Sequence, residues 1–259
     1  MDFIKAKEEF KEYLKAYDTE NSSVKLKIVH TYHVVEFSEY IAKKQGLDEE
    51  NIELAKLIAL LHDIGRFEQL KELNDFSDTK GIDHVDLGVE ILFDKNLIRN
   101  FIEEDKYDKI IKVAIANHNK YKIEDGLTEL EVLHSKIIRD ADKLDNFRVK
   151  KENDFQSNFP GTKNVENIAY EKISDKVYKD FLEHKCIKLI DRKTLLDFWV
   201  CILAFIYDFN FRSSYKYIKD KNYIDILVDK IEYKNEETKQ RMEEIRKCAK
   251  EYIDMKIEE

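Results

Sequence analysis

Six glycines and one proline in 259 residues leave this chain few places to turn. Glycine and proline punctuate helices, so their scarcity predicts long helices joined by few tight turns. The apolar pattern agrees. Phe3, Phe10, Tyr13, Leu14 and Tyr17 recur at helical spacing, as do Val24, Ile28, Val34, Val35, Phe37 and Ile41. A third run, Ile52 to Leu61, is apolar nearly all round and is therefore expected at the centre of the fold. No segment alternates like a strand, and no internal repeat is visible. The fold class read from these patterns is all-α.

Further helices are expected over 84–94, 106–119, 129–147, 165–182, 193–210, 222–232 and 236–257. Gly46 and Gly65 stand where helix C-terminal caps would fall. Residues 66–83 carry many polar and acidic groups and read as a loop. The stretch 154–164 holds the only proline and is the natural break between a helical core, 1–153, and a helical C-terminal extension, 154–259. The two are expected to pack as one structural domain. The extension has three candidate roles: a lid, a homodimer contact or plain support.

Composition narrows the function. With 43% hydrophobic and 38% charged residues the chain has enough apolar surface for a core and a heavily charged exterior, which excludes intrinsic disorder. The net charge of -9 comes from interspersed acids and bases. It gives no basic face for nucleic acid. A nucleotide substrate remains compatible, because a bound cation can meet phosphate locally. Cys186, Cys201 and Cys248 lie far apart and outside any metal-ligand spacing, which suits reduced thiols and a cytoplasmic setting. The N-terminus lacks the apolar run of a signal peptide. The most apolar stretch, 198–209, is too short to span a bilayer and reads as a buried helix.

Six of the seven histidines precede residue 140: His30, His33, His62, His84, His118 and His134. His62 and Asp63 directly follow the apolar run LIALL. Buried there without partners they would be costly, and a metal ion would remove that cost. At a helix end both side chains can turn to one centre, where a carboxylate can bridge two ions. The competing reading is a C-terminal histidine favoured by the helix dipole beside a surface aspartate. Asp140, Asp142 and Asp145 interrupt an otherwise apolar helix and call for partners. Arg139 and Lys143 are the local candidates for Asp140 and Asp145.

The order of a histidine, an adjacent His-Asp and a distant aspartate resembles the HD superfamily of metal-dependent phosphohydrolases. The matching strings are HTYHV at His30, LLHDIGR at His62-Asp63 and DADKLD at Asp142, and the resemblance covers roughly residues 24–147. It implies an HD-domain helical bundle and a metal held by His30, His62, Asp63 and Asp142. The family's H-T-x-x-V pattern selects His30 over His33. Some branches bind a second metal through two more histidines, and His84 and His118 stand where those are expected, with Asp63 as the bridge. Paired histidines are common at the later position, where this chain has Asn117-His118. The Gly-Tyr-Pro signature of the cyclic-di-GMP phosphodiesterase branch is missing.

The resemblance implies hydrolysis of a small phosphorylated substrate, with a nucleotide favoured. The cofactors would be two divalent ions from among Mn, Fe, Co, Ni and Zn. Arg66 is a candidate phosphate contact, with Arg139 and Lys143 as weaker ones, and His33 or Asp145 a candidate for proton transfer. The competing role of Arg66 is a surface ion pair with Glu68 or Glu72. Two other readings fit the same scaffold: a di-iron oxygenase of the HD fold, and a ligand-sensing module without turnover.

Overall fold

The structure is a computed structural model that describes residues 1–73, 81, 83–159 and 162–259. Among these residues the regular elements are all helical, as the glycine and proline content predicts. The chain divides into two compact units, Met1–Asp142 and Lys143–Glu259. The division falls inside one helix. The 154–164 stretch lies within the second unit, and its Pro160 and Gly161 are outside the described residues.

The first unit opens with α1 (Phe3–Leu14), α2 (Ser22–Lys44) and α3 (Glu49–Leu61). Each begins at a side chain that accepts from free backbone N–H groups of the first turn: Asp2, Asn21 and Asp48 respectively. Gly46 ends the α2 turn at φ +70°, as a C-terminal glycine should. The apolar run of α3 is central: Leu54, Leu57, Ile58, Leu60 and Leu61 are at most 1% exposed. α2 packs along it, and α1 lies against it as well.

α4 (Ile64–Leu73) follows after a two-residue break. The expectation of a loop over 66–83 is therefore corrected for residues 66–73. Phe67 and Leu70 bury a helical face there, and Phe67 packs edge-on to Phe10 at 5.9 Å. Residues 74–80 and 82 lie outside the described residues. Gly65 is also corrected. It sits in the first turn of α4 and caps no helix. Its missing side chain matters for packing: a Cβ would stand 2.2 Å from the His84 carbonyl oxygen and 2.6 Å from the Gly88 nitrogen. That closeness lets α5 (His84–Val89) lie against α4. A π turn, Glu90–Asp94, extends α5, and α6 (Ile98–Phe101) packs on α1. α7 (Asp108–Asn117) packs on α3 and α5. α8 (Glu129–Glu152) is the helix in which the division falls.

In the second unit the C-terminus of α8 is capped by Lys230, whose ammonium donates to the carbonyls of Lys150, Lys151 and Asn153 at 2.6, 2.8 and 2.6 Å. The charge satisfies carbonyls that a helix C-terminus leaves open. The short α9 (Phe155–Asn158) follows. The single helix expected over 165–182 is instead a 3-10 turn, Val165–Tyr170, and α10 (Asp175–Leu182). The break has a cause. Ser174 is extended, and its N–H and hydroxyl both donate to the buried Asp197 carboxylate. α11 (Leu195–Leu203) carries Trp199, 1% exposed, whose indole N–H donates to the Leu227 carbonyl. α12 (Arg212–Asp220) lies between the helices expected over 193–210 and 222–232. α13 (Tyr223–Asp229) and α14 (Glu236–Glu258) complete the unit, with α10, α12 and α13 packed on α14. No described helix is long and apolar enough to cross a membrane.

Candidate metal centre

The site is built where α3 stops. His62 caps α3 and α4 begins at Ile64, so His62 and Asp63 lie in the break and are not held 100° apart on a continuous helix. Both are buried, at 0% and 3% exposure. The turn is closed by the Arg66 N–H, which donates to the Asp63 carbonyl at 2.9 Å. From α1, the Tyr13 hydroxyl donates to the Ile64 carbonyl at 3.2 Å.

Four imidazoles converge on the Asp63 carboxylate, two at each oxygen. Oδ2 lies 3.7 Å from His30 Nε2 and 3.6 Å from His62 Nε2. Oδ1 lies 3.4 Å from His84 Nε2 and 3.9 Å from His118 Nε2. Asp142 joins on the His30 side, with Oδ1 3.2 Å from His30 Nε2. Among the described residues two groups of three result, His30-His62-Asp63 and Asp63-His84-His118, and within each the ligand atoms lie within 4.8 Å of one another. Atoms about 2.1 Å from a shared ion, at about 90–110° to each other, stand roughly 3.0–3.4 Å apart. The observed spacings are at or slightly above that.

The donor chemistry also fits. His62 Nδ1 donates to the Ala59 carbonyl at 2.7 Å, and His118 Nδ1 donates to the Ile115 carbonyl at 2.8 Å. A carbonyl only accepts, so each contact fixes the ring proton on Nδ1 and leaves the Nε2 lone pair facing the site. His62 Nε2 is buried and has no hydrogen-bond partner among the described residues. An imidazole nitrogen aimed into a buried cluster of carboxylate and other imidazoles is what a cation requires.

A family model matches the stretch that carries these histidines and aspartates. The model described as HD domain matches residues 28–146. This stretch is an HD domain. No curated protein and no solved structure matches it. HD domains bind divalent metals and are mostly metal-dependent hydrolases, and the buried histidine and aspartate groups of this HD domain could hold such ions.

Electrostatics set the protonation states. Burial pushes His62 down and, with help from His62 and His84, pushes His118 down to about 3. Both are neutral bases near pH 7, the form that ligates. Burial alone would raise Asp63, but Lys27, His62, His84 and Arg66 outweigh it and hold the carboxyl well below its usual range. Asp142 is likewise held low, chiefly through His30, against the opposing effect of burial.

The other candidate residues separate. Arg66 stays near the centre, with Nε 3.6 Å from Asp63 Oδ1 and Nη1 donating to Gln69 at 2.8 Å. His33 is not drawn in; its Nδ1 meets Glu36 at 3.1 Å on the same helix, and the side chain is 35% exposed. Arg139 is 2% exposed and its guanidinium binds backbone carbonyls. Lys143 pairs with Asp208 at 2.8 Å, and Asp145 accepts from Arg148 at 2.6 Å. His134 meets Asn51, and His184 packs against Tyr207 and Tyr252.

The centre also holds a residue that sequence reasoning missed. The Lys27 ammonium lies 2.6 Å from Asp63 Oδ2. The available signal was its position three residues before His30, which puts both on one face of α2. It was hidden because a lysine in KLKIVH reads as solvated.

Proposed function

We propose that this HD protein is a phosphohydrolase that holds two divalent ions and cleaves a small phosphate ester, with a nucleotide the favoured class. One observation carries the reading: Asp63 belongs to both candidate groups and turns a different oxygen to each histidine pair. A carboxylate so shared would serve both ion positions. Bound divalent ions supply Lewis acidity for a phosphoryl oxygen and lower the pKa of a water.

The chain's own residues do the rest. Asp63 fixes the separation of the two positions. The Ala59 and Ile115 carbonyls hold His62 and His118 in the tautomer that presents Nε2. Lys27 and Arg66 approach opposite oxygens of Asp63 and are 19% and 14% exposed. They are the cations best situated to receive an anionic phosphate, Arg66 as a planar fork and Lys27 as a point charge. Ions, Lys27 and Arg66 together bring more positive charge than Asp63 and Asp142 neutralise, which favours an anionic substrate.

The test is a panel of nucleotides and simple phosphate esters, with Mn, Co, Ni, Fe and Zn supplied separately to stripped protein. Phosphate or nucleoside release with one of these metals, lost in Asp63→Ala, supports the reading. Two irons per chain with oxygen consumption and no phosphate release would replace it with an oxygenase.

A further inference from the structure

We infer that Arg139 is a positioning residue for the second metal position, acting through His118; this rests on the two-ion reading above. His118 is held at the end of α7, and a helix end is a weak place to fix a ligand, because its last carbonyls have no partners within the helix. Here side chains take over that task. The Asn117 amide donates to the Val113 carbonyl at 2.9 Å, and its oxygen accepts from the Glu124 N–H at 3.0 Å. The Asn117 carbonyl, next to His118, accepts from Arg139 Nη1 at 2.7 Å. The same nitrogen donates to the Lys120 carbonyl at 2.5 Å. One buried guanidinium therefore clamps the chain on both sides of His118.

The clamp has an electrostatic reason. The carbonyl end of α7 is the negative end of its dipole, and Arg139 puts a full positive charge on it in a site only 2% exposed. Arg139 also precedes Asp142 by one turn of α8. A single helix thus supplies Asp142 to the His30 side of the centre and anchors the turn that carries His118 to the other. The sequence suggested a phosphate contact for Arg139. Its buried contacts with two backbone carbonyls assign it instead to the scaffold of the second position.

The experiment counts ions. Full-length wild type, Arg139→Gln, Arg139→Lys and His118→Ala are stripped and titrated with Mn2+ by calorimetry, with metal content per chain measured after desalting and folding checked by circular dichroism. Two ions are expected on wild type. Arg139→Gln should bind the first within about 3-fold of wild type and the second about 10–100-fold more weakly. His118→Ala should mimic it, and the double variant should lose no more than His118→Ala alone. Arg139→Lys, which restores the charge but not the fork, should recover part of the second affinity. If Arg139→Gln does not fold, Arg139→Lys is read alone, and weakening confined to the second ion upholds the inference. Two ions at wild-type affinity in a folded Arg139 variant overturn it. So does equal loss of both ions, which a merely structural role would give. Fewer than two ions on wild type overturn the two-ion reading, and this inference with it.

Discussion

The Lys27 ammonium lies 2.6 Å from Oδ2 of Asp63, the oxygen that also faces His30 and His62. Asp63 is 4% exposed in its side chain, and Lys27 is the largest of the influences that hold it ionised. Lys27→Met is expected to lower the stability of stripped protein by about 1–3 kcal/mol, because it leaves a buried carboxylate without its nearest cation. Lys27→Arg should keep most of that stability. Urea unfolding in EDTA measures both, and equal midpoints for wild type and Lys27→Met would sink the claim.

Gly65 tests the packing that brings α5 to the centre. A methyl group there would meet backbone, the His84 oxygen at 2.2 Å and the Gly88 nitrogen at 2.6 Å, so no side chain can swing aside to admit it. Gly65→Ala should cost about 1–3 kcal/mol. It should also displace His84 from Asp63. Chemical denaturation together with metal content per chain reads both effects; unchanged stability and two bound ions would show that the contact is not needed.

Asp63→Ala should remove both ions and all phosphate release, because the residue is common to the two groups. His184→Ala should change neither, since His184 packs on Tyr207 and Tyr252 in the second unit. Elemental analysis of the two purified variants is sufficient. Retention of one ion by Asp63→Ala would mean that the carboxylate is not shared.

His134 gives a pH dependence away from the centre. Burial pushes it down to about 4, against about 6.5 in an unfolded chain. Between those values the unfolded chain binds a proton that the folded chain does not, so stability rises with pH there. The group contributes nothing above about 6.5. It lowers stability as the pH falls, by about 2 kcal/mol at pH 5. His134→Gln should therefore lose about 2 kcal/mol less than wild type between pH 7 and pH 5 in urea titrations. Parallel losses in the two proteins would contradict this.

Much of the site was legible because its parts are local. Apolar runs mark helices through side-chain periodicity alone, and the LLHDIGR string marks where one of them ends. His30, His62, Asp63 and Asp142 could be named through the resemblance to the HD superfamily, and His84 and His118 through the branches of it that bind a second metal. The loop reading of 66–83 failed over 66–73 because polar residues on the outer face of α4 outnumber the few that pack, Phe67 and Leu70. The helix expected over 165–182 failed because the carboxylate that interrupts it, Asp197, lies far along the chain.

The sequence by itself determined the helical class, the break at His62-Asp63 and the identity of the histidines and aspartates available for a metal. Tertiary structure alone decided that Asp63 divides its two oxygens between two histidine pairs. That division depends on α4 meeting α5 at Gly65 and on α7 packing against α3 and α5, contacts between segments distant in sequence. It also decided that Lys27 turns inward to Asp63, and that Arg139 binds carbonyls instead of facing solvent. Helix periodicity fixes which residues share a face, but the partner of a buried charge is set by whichever distant segment the packing brings against it.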